Sequence, residues 1–220
     1  DLLKRGVFLN KDIAKNKDIK EKDIYFAFPC KANQMMANNF SKFYKIKSKN
    51  LIKKDQPLKF SNIKIDDTYS KVLIIRDKVK NLLRNTGVVL PKNARLEISY
   101  HYGIDNFFKY GLTMISIINN KYCKKLLILL PGQSHPSQYH LIKKESFFVL
   151  YGSVKLSIDK KSFNLKAGDL KTIYAKQIHK FSSKKGTIIE ELSTTSIKSD
   201  SYYLDDKINN NKDRKTFIYL

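Results

Sequence analysis

Gln138, His140 and Glu145 are the residues of this chain whose types and spacing could do chemistry. In the run bounded by Gly132 and Gly152, one residue separates Gln138 from His140, and four more separate His140 from Glu145. Residues two apart on a β-strand share a face, so Gln138 and His140 can both reach the inside of a small barrel. A carboxylate across the following turn would complete a facial ligand set for a divalent metal. Gln is a neutral oxygen donor and binds transition metals more weakly than imidazole does. Glu190 and Glu191 are further candidates. As neighbours on a strand only one of them can point inward, where it could serve as acid or base or sit in a buried salt bridge. His135, before Pro136 at a turn, either replaces a missing imidazole or faces away, and His101 reads as a hydrogen-bonded core or rim histidine.

The elements that must position these residues change character along the chain. Residues 1–58 read as short strands separated by charged turns, with an apolar run Gly6-Val7-Phe8-Leu9. Two related Lys-rich stretches lead to Asn16 and Asp55, residue types that tolerate positive φ in a tight turn. Residues 59–94 form a connector. Within it Tyr69, Val72, Ile75, Val79, Leu82 and Leu83 recur at helical steps before Gly87, which predicts one amphipathic helix over about 69–85 with a solvated basic face. Residues 95–220 carry at least seven short β-rich runs, predicting a sandwich or barrel. A short helix at 104–110 covers one end, and the polar stretch Ser199–Arg214 reads as a surface arm.

The run from Gly132 through Gln138, His140 and Glu145 to Gly152 resembles the first motif of the cupins, in which two histidines flank one residue and a Glu follows. The second cupin motif is matched from Gly168-Asp169, and the resemblance then implies a further metal-ligating His at His179. This chain departs from the pattern at Gln138, where the family has His, at Tyr174 for Pro and at Lys176 for Gly. Within the cupins, Leu96 to Gly103, Leu130 to Pro136, Glu190 to Thr195 and Asp200-Ser201-Tyr202-Tyr203 resemble the D-lyxose isomerase-like group and the cupin domains appended to some sialic acid synthases.

Residues 4–24, with Lys22-Asp23-Ile24, and the closing Gln56-Pro57-Leu58 resemble the antifreeze-like, or SAF, domain that follows the barrel of sialic acid synthases. Together the resemblances imply a mainly β chain: a small β-clip SAF domain and a cupin double-stranded β-helix barrel joined by a helical connector. They also imply the lid and cupin region of a sialic acid synthase, which condenses phosphoenolpyruvate with an N-acylmannosamine-type sugar. The catalytic barrel would lie N-terminal to this chain. Arg5, with Lys4, would bind the sugar, the assembly would be a homodimer, and the cupin would bind sugar, dimerise or hold an auxiliary metal. Two alternatives stand beside this. One is a metal-dependent sugar isomerase of the D-lyxose type, and the other is a noncatalytic polyanion-binding module.

Composition bounds these readings. The chain has 43 basic and 20 acidic residues, a formal charge of +23, but 38 of the basic residues are Lys and 5 are Arg, alongside 17 Asn. An AT-rich coding sequence produces that bias, and nucleic-acid readers favour the bidentate Arg, so no nucleic-acid partner is expected. No run approaches the roughly 18 to 20 apolar residues of a membrane span. Cys30 and Cys123 define neither a disulfide framework nor a zinc site, which suggests a reducing, cytoplasmic compartment. The chain opens with Asp1 and reads as a fragment of something longer. Any metal is expected to be held loosely, manganese or iron before zinc, with the site possibly empty.

Overall fold

A computed structural model describes residues 3–41, 44–194, 196–211 and 213–220; Asp1 and Thr195 lie outside the described residues. The chain divides into two compact units, up to Lys71 and from Val72 to Leu220. No described helix is long and apolar enough to cross a membrane.

In the first unit β1 (Gly6–Leu9) pairs antiparallel with β3 (Ile24–Ala27), and β4 (Tyr44–Ser48) lies between β2 (Asp18–Ile19) and β5 (Ile63–Asp67). Its core contains Val7, Leu9, Ile13, Ile24, Met35, Ile46, Ile52, Leu58 and Ile63. The two related turns meet at their centre, where Ile13 and Ile52 exchange both backbone hydrogen bonds at 2.8 and 3.0 Å. Asn16 and Asp55 adopt φ of 63° and 62°, the left-handed geometry their side chains tolerate best after Gly. β5 carries this unit's second sheet beyond residue 58, into the stretch expected to be a connector.

Helix α1 (Thr68–Arg84) starts on Asp67, whose carboxylate accepts from the amides of Tyr69 and Ser70. Its apolar stripe, Val72, Ile75, Val79 and Leu83, is buried among Leu96, Ile98, Ile115, Leu126 and Ile128. From Val72 onward, therefore, the helix is part of the wall of the second unit rather than a free connector.

That unit is built on one curled, mainly antiparallel sheet. Its strands are β6 (Arg95–Tyr100), β7 (Gly111–Asn119), β8 (Tyr122–Leu129), β9 (Ser134–Tyr139), β10 (Glu145–Ile158), β11 (Lys161–Lys166), β12 (Leu170–Ile173), β13 (His179–Ser182), β14 (Thr187–Thr194), β15 (Tyr202–Tyr203) and β16 (Lys215–Tyr219), with a short helix α2 (Phe107–Tyr110) before β7. The main path runs β15-β9-β13-β10-β14-β8-β7-β6-β16, with β11 and β12 also on β10. β10 is long enough to serve both walls. Its first half pairs with β12, its second half with β11 and β13, and the register with β14 shifts between Val149 and Tyr151. Gly152, at φ 74°, follows that bend, and a Cβ there would run into the carbonyl oxygen of Gly186. Phe147, Val149, Leu156, Leu127, Leu129, Ile173, Phe181 and Ile189 fill the space inside.

The Ser199–Arg214 stretch is not a surface arm. Asp200, Tyr203 and Ile208 are buried, β15 pairs with β9, and α3 (Asp206–Asn209) follows, before β16 joins β6. The run of Asn and Asp concealed these anchors, because the polar residues serve as caps and turns around them.

Candidate metal centre

β9, β10, β13 and the loop after β9 converge on the interior of the second unit. One ligand atom from each of His140, Glu145 and His179 lies within 4.8 Å of the other two, and all three residues are buried. Register explains the convergence. His179 faces Gln138 across β13 and β9, while Glu145 opens β10 immediately after the loop that carries His140. Gln138 joins them, its Nε2 3.2 Å from His179 Nε2. All four residues proposed from spacing and resemblance are thus in one cluster.

The hydrogen bonds on the far side of each ring fix the tautomers. His140 Nδ1 is 2.5 Å from the carbonyl oxygen of Asp200, and His179 Nδ1 is 3.1 Å from that of Gln177. A carbonyl only accepts, so both Nδ1 atoms carry protons and both Nε2 atoms present lone pairs to the interior. Glu145 Oε1 lies 3.0 Å from one of these lone pairs and 3.7 Å from the other. Neither His140 Nε2 nor Glu145 Oε1 has a hydrogen-bond partner among the described residues. Three buried electron-pair donors facing one another are costly, and a cation between them removes the cost. The residues therefore fit a divalent metal, and the carbonyl-bound imidazoles supply the orienting outer contacts that such sites use.

A charged network backs the cluster. Lys143 Nζ contacts Glu145 Oε2 and lies 2.9 Å from Glu191 Oε1, which is itself 3.7 Å from Lys125 Nζ. Burial raises the Glu145 carboxyl, but the Lys143 ammonium outweighs it and holds the group well below the usual carboxylate range. Burial pulls the Lys143 ammonium down, and the two carboxylates more than restore it. Burial lowers His140, with Lys143 adding to the effect. The loop carrying His140 and Lys143 is itself held by Asp200, whose carboxylate accepts from the amides of Leu141, Ile142 and Lys143.

Of the adjacent pair, Glu191 is the inward residue, while Glu190 bonds Lys124 at 2.9 Å on the other face. His135 does not replace the missing imidazole. It stacks on Phe181 with ring centroids 4.5 Å apart, and burial holds it well below its ordinary value. His101 is the core histidine expected, bonded to the Tyr110 carbonyl and the Tyr203 hydroxyl. Cys123 is a buried residue of β8. Lys4 and Arg5 are exposed, at the start of the first unit. Lys143, Asp200 and Tyr203 were missed as site residues: the first is one lysine among 38, and the others sit in the polar tail.

The sequence profile of the cupin domain matches residues 125–192. The D-lyxose/D-mannose isomerase of Thermosediminibacter oceani is 26% identical over 169 residues, 63% of this chain and 93% of that protein. The D-lyxose ketol-isomerase of Cohnella laeviribosi is 30% identical over 93 residues, 38% of this chain and 50% of that protein. Among solved structures, the L-ribose isomerase of Acinetobacter sp. DL28 in complex with L-ribose superposes with a TM-score of 0.54 at 16% identity, covering 64% of this chain and 94% of that one. The L-ribose isomerase of Geodermatophilus obscurus gives 0.53, also at 16% identity and with the same coverage; at such identity the likeness is one of fold.

These relatives overturn the reading of the chain as the lid and cupin of a sialic acid synthase. The resemblance runs to sugar isomerases, and no relationship to a synthase or to a SAF domain supports residues 1–58 as a lid, a barrel upstream, or the sugar-binding role carried over to Lys4 and Arg5. The chain carries a cupin domain that resembles those of the D-lyxose and L-ribose isomerases.

Proposed function

We propose that this chain is a metal-dependent aldose–ketose isomerase acting on an open-chain sugar. The observation that carries the reading is the buried convergence of two Nε2 lone pairs and a carboxylate oxygen, wired through Lys143 to a second buried carboxylate, Glu191. His140, His179 and Glu145 would hold the ion, with the Gln138 amide turned to present its oxygen. A divalent metal there would polarise the sugar carbonyl and the neighbouring hydroxyl.

Isomerisation moves a proton between C1 and C2 and another between the two oxygens, so it needs a basic group in a buried, polar environment. Glu191 has that environment: Lys143 at 2.9 Å, Lys125 at 3.7 Å and the Ser193 hydroxyl donating at 3.3 Å. It would take the carbon-bound proton and return it to the adjacent carbon. Lys143 keeps a positive charge beside the oxygens on which negative charge builds. Burial excludes the water that would otherwise compete for the proton.

The test is ketose formation from D-lyxose and D-mannose by the metal-loaded chain. Activity should disappear on chelation and return with manganese. Glu191→Gln should lower kcat by about 100- to 10,000-fold, the range for loss of a positioned base, with metal content unchanged. If the loaded chain converts no aldose, the reading is wrong. If Glu191→Gln keeps full activity, the base lies elsewhere.

A further inference from the structure

A cavity of about 510 Å³ opens between the tip of the β10–β11 hairpin, β12 and the turn before β13. Ile158, Phe163 and Tyr174 give it an apolar side, and Lys160, Lys161 and Lys171 bring ammonium groups to it. Its size and its mixed lining are those of a small-molecule site. None of its lining residues belongs to the metal cluster, but the two are neighbours. The side of the cavity formed by Gln177 is tied to both histidines: the Gln177 carbonyl is the one that His179 Nδ1 meets at 3.1 Å, and the amide of the adjacent Lys176 donates to the His140 carbonyl at 2.6 Å.

The charges around this cavity do not balance. Lys160, Lys161 and Lys171 form no ion pair among the described residues, whereas Lys124, Lys125 and Lys143 of the same unit each have a carboxylate. Asp159 is the one acid on the lining, and it is already committed. Its Oδ2 accepts from Gln177 Nε2 and its Oδ1 from the Ile178 amide, both at 3.1 Å. Gln177 Oε1 in turn accepts from the Tyr174 amide at 2.9 Å, which fixes the turn.

Aromatic rings hold two ammonium groups in place of carboxylates. Lys171 Nζ lies 4.1 Å from the centroid of Phe163, and Lys144 Nζ 4.9 Å from that of Tyr174. A ring face attracts a cation without neutralising it, so Lys171 reaches the cavity positioned and still charged. Tyr174 is 58% exposed, which leaves most of its ring surface available to a ligand.

A neutral sugar in this cavity leaves the ammonium groups uncompensated, and inorganic phosphate leaves Ile158, Phe163 and Tyr174 facing water. A ligand that satisfies both sides has a flat apolar end and a multiply charged oxyanion end. We propose that the cavity binds a nucleoside phosphate, with the base against Tyr174 and the phosphate on Lys171 and Lys161. Stacking of a base on an aromatic ring and charge-assisted bonds to phosphate are the two interactions this lining supplies. The site stands apart from the isomerase reading, since it uses none of His140, Glu145, His179 and Glu191.

The test is calorimetric titration of the full chain with adenosine monophosphate, adenosine and inorganic phosphate, in the presence of a chelator so that no phosphate binds through a metal. The monophosphate should bind at least tenfold more tightly than adenosine or phosphate. Lys171→Gln should weaken the monophosphate about tenfold, as for loss of a hydrogen bond to a charged group, and leave adenosine unchanged. Tyr174→Ala should also weaken it about tenfold, within the range for one stacked base, while Tyr174→Phe keeps the affinity because the ring remains. Lys155→Gln removes an exposed, unpaired lysine that does not line the cavity and should change the affinity less than twofold. No binding of the monophosphate, equally tight binding of inorganic phosphate, affinity that survives Lys171→Gln or Tyr174→Ala, or equal losses for Lys171→Gln and Lys155→Gln overturns the proposal. The last result would mean that the formal charge of +23 attracts anions without a site.

Discussion

Gln138 stands where the cupin pattern has a histidine, and its Nε2 faces the His179 ring. An amide that donates to a lone pair competes with a cation for it, and when turned round it offers only a neutral oxygen. Gln138→His should therefore raise manganese affinity at least tenfold, measured by titrating the metal-free protein with elemental analysis of both forms. Absence of any gain would favour reading the cluster as a hydrogen-bonding surface for the sugar. His101 supports a second residue-scale prediction. Burial brings it down to about 4, with Arg214 and Lys215 opposing its protonation and Glu97 and the Tyr110 carbonyl favouring it. An unfolded chain takes up that proton near 6.5, so below this pH the unfolded state binds more protons and stability falls towards pH 4. Above 6.5 the contribution is fully present. The loss should reach ~3 kcal/mol. His135 is lowered by burial too and adds in the same direction, so the diagnostic is a difference: His101→Gln should shrink the change in urea midpoint between pH 7 and pH 4.5. An identical change in both proteins would remove His101 as its source. At this scale the sequence was legible where a residue type is scarce. Four histidines in 220 residues make His140 and His179 conspicuous, whereas Lys143 cannot stand out from 37 other lysines.

Strands and turns were legible where local chemistry decides them. Asn16 and Asp55 take the left-handed conformation in their turns, and α1 runs from Thr68 to Arg84, close to the helix expected at about 69–85. Partnership between distant elements was not legible. The runs at 147–150 and 154–158 look like two strands in sequence, yet they are one strand, β10, whose bend lets it serve both walls. The polar stretch after Ser199 shows neither period, because its contribution comes from isolated anchors. Asp200 is the chief of these. Its carboxylate accepts three successive amides of the loop between β9 and β10, and its carbonyl fixes His140. Backbone amides outweigh burial and keep that carboxyl below the ordinary aspartate range. Asp200→Ala leaves those amides unpaired and should cost about 2 to 4 kcal/mol in urea unfolding. It should also weaken metal binding about 10- to 100-fold, as for loss of an orienting outer contact. Asp169→Ala, which removes a half-buried carboxylate bonded to one amide, that of Lys166, is the control and should cost far less. Similar costs for the two would mean that the stretch after Ser199 is a passive covering.

Each half of the chain has its own apolar core. Val7, Leu9, Ile46, Ile52 and Ile63 cluster in one, while Val72, Ile75, Val79 and Leu83 of α1 cluster with Leu96, Ile98 and Leu126 in the other. The sheets respect the same division, since no described strand of the first unit is hydrogen-bonded into the curled sheet of the second. The boundary expected near residue 58 is shifted because Ile63 to Asp67 pair with β4, and because the apolar stripe of α1 is spent on the barrel. A fragment of residues 67–220 keeps both the Asp67 cap and the stripe. It should unfold in one cooperative transition, within about 4 °C of the corresponding transition in the full chain and with the same manganese affinity. A fragment of residues 85–220 strips four buried aliphatic side chains from the wall, each worth about 1.5 to 3 kcal/mol, a total comparable to the whole stability of a domain. It should be unfolded or aggregated at 25 °C. Circular dichroism melts of the two fragments check this directly. Cooperative folding of the shorter one would show that the helix is a connector after all, and failure of the longer one would show that the cupin barrel cannot stand without the first unit.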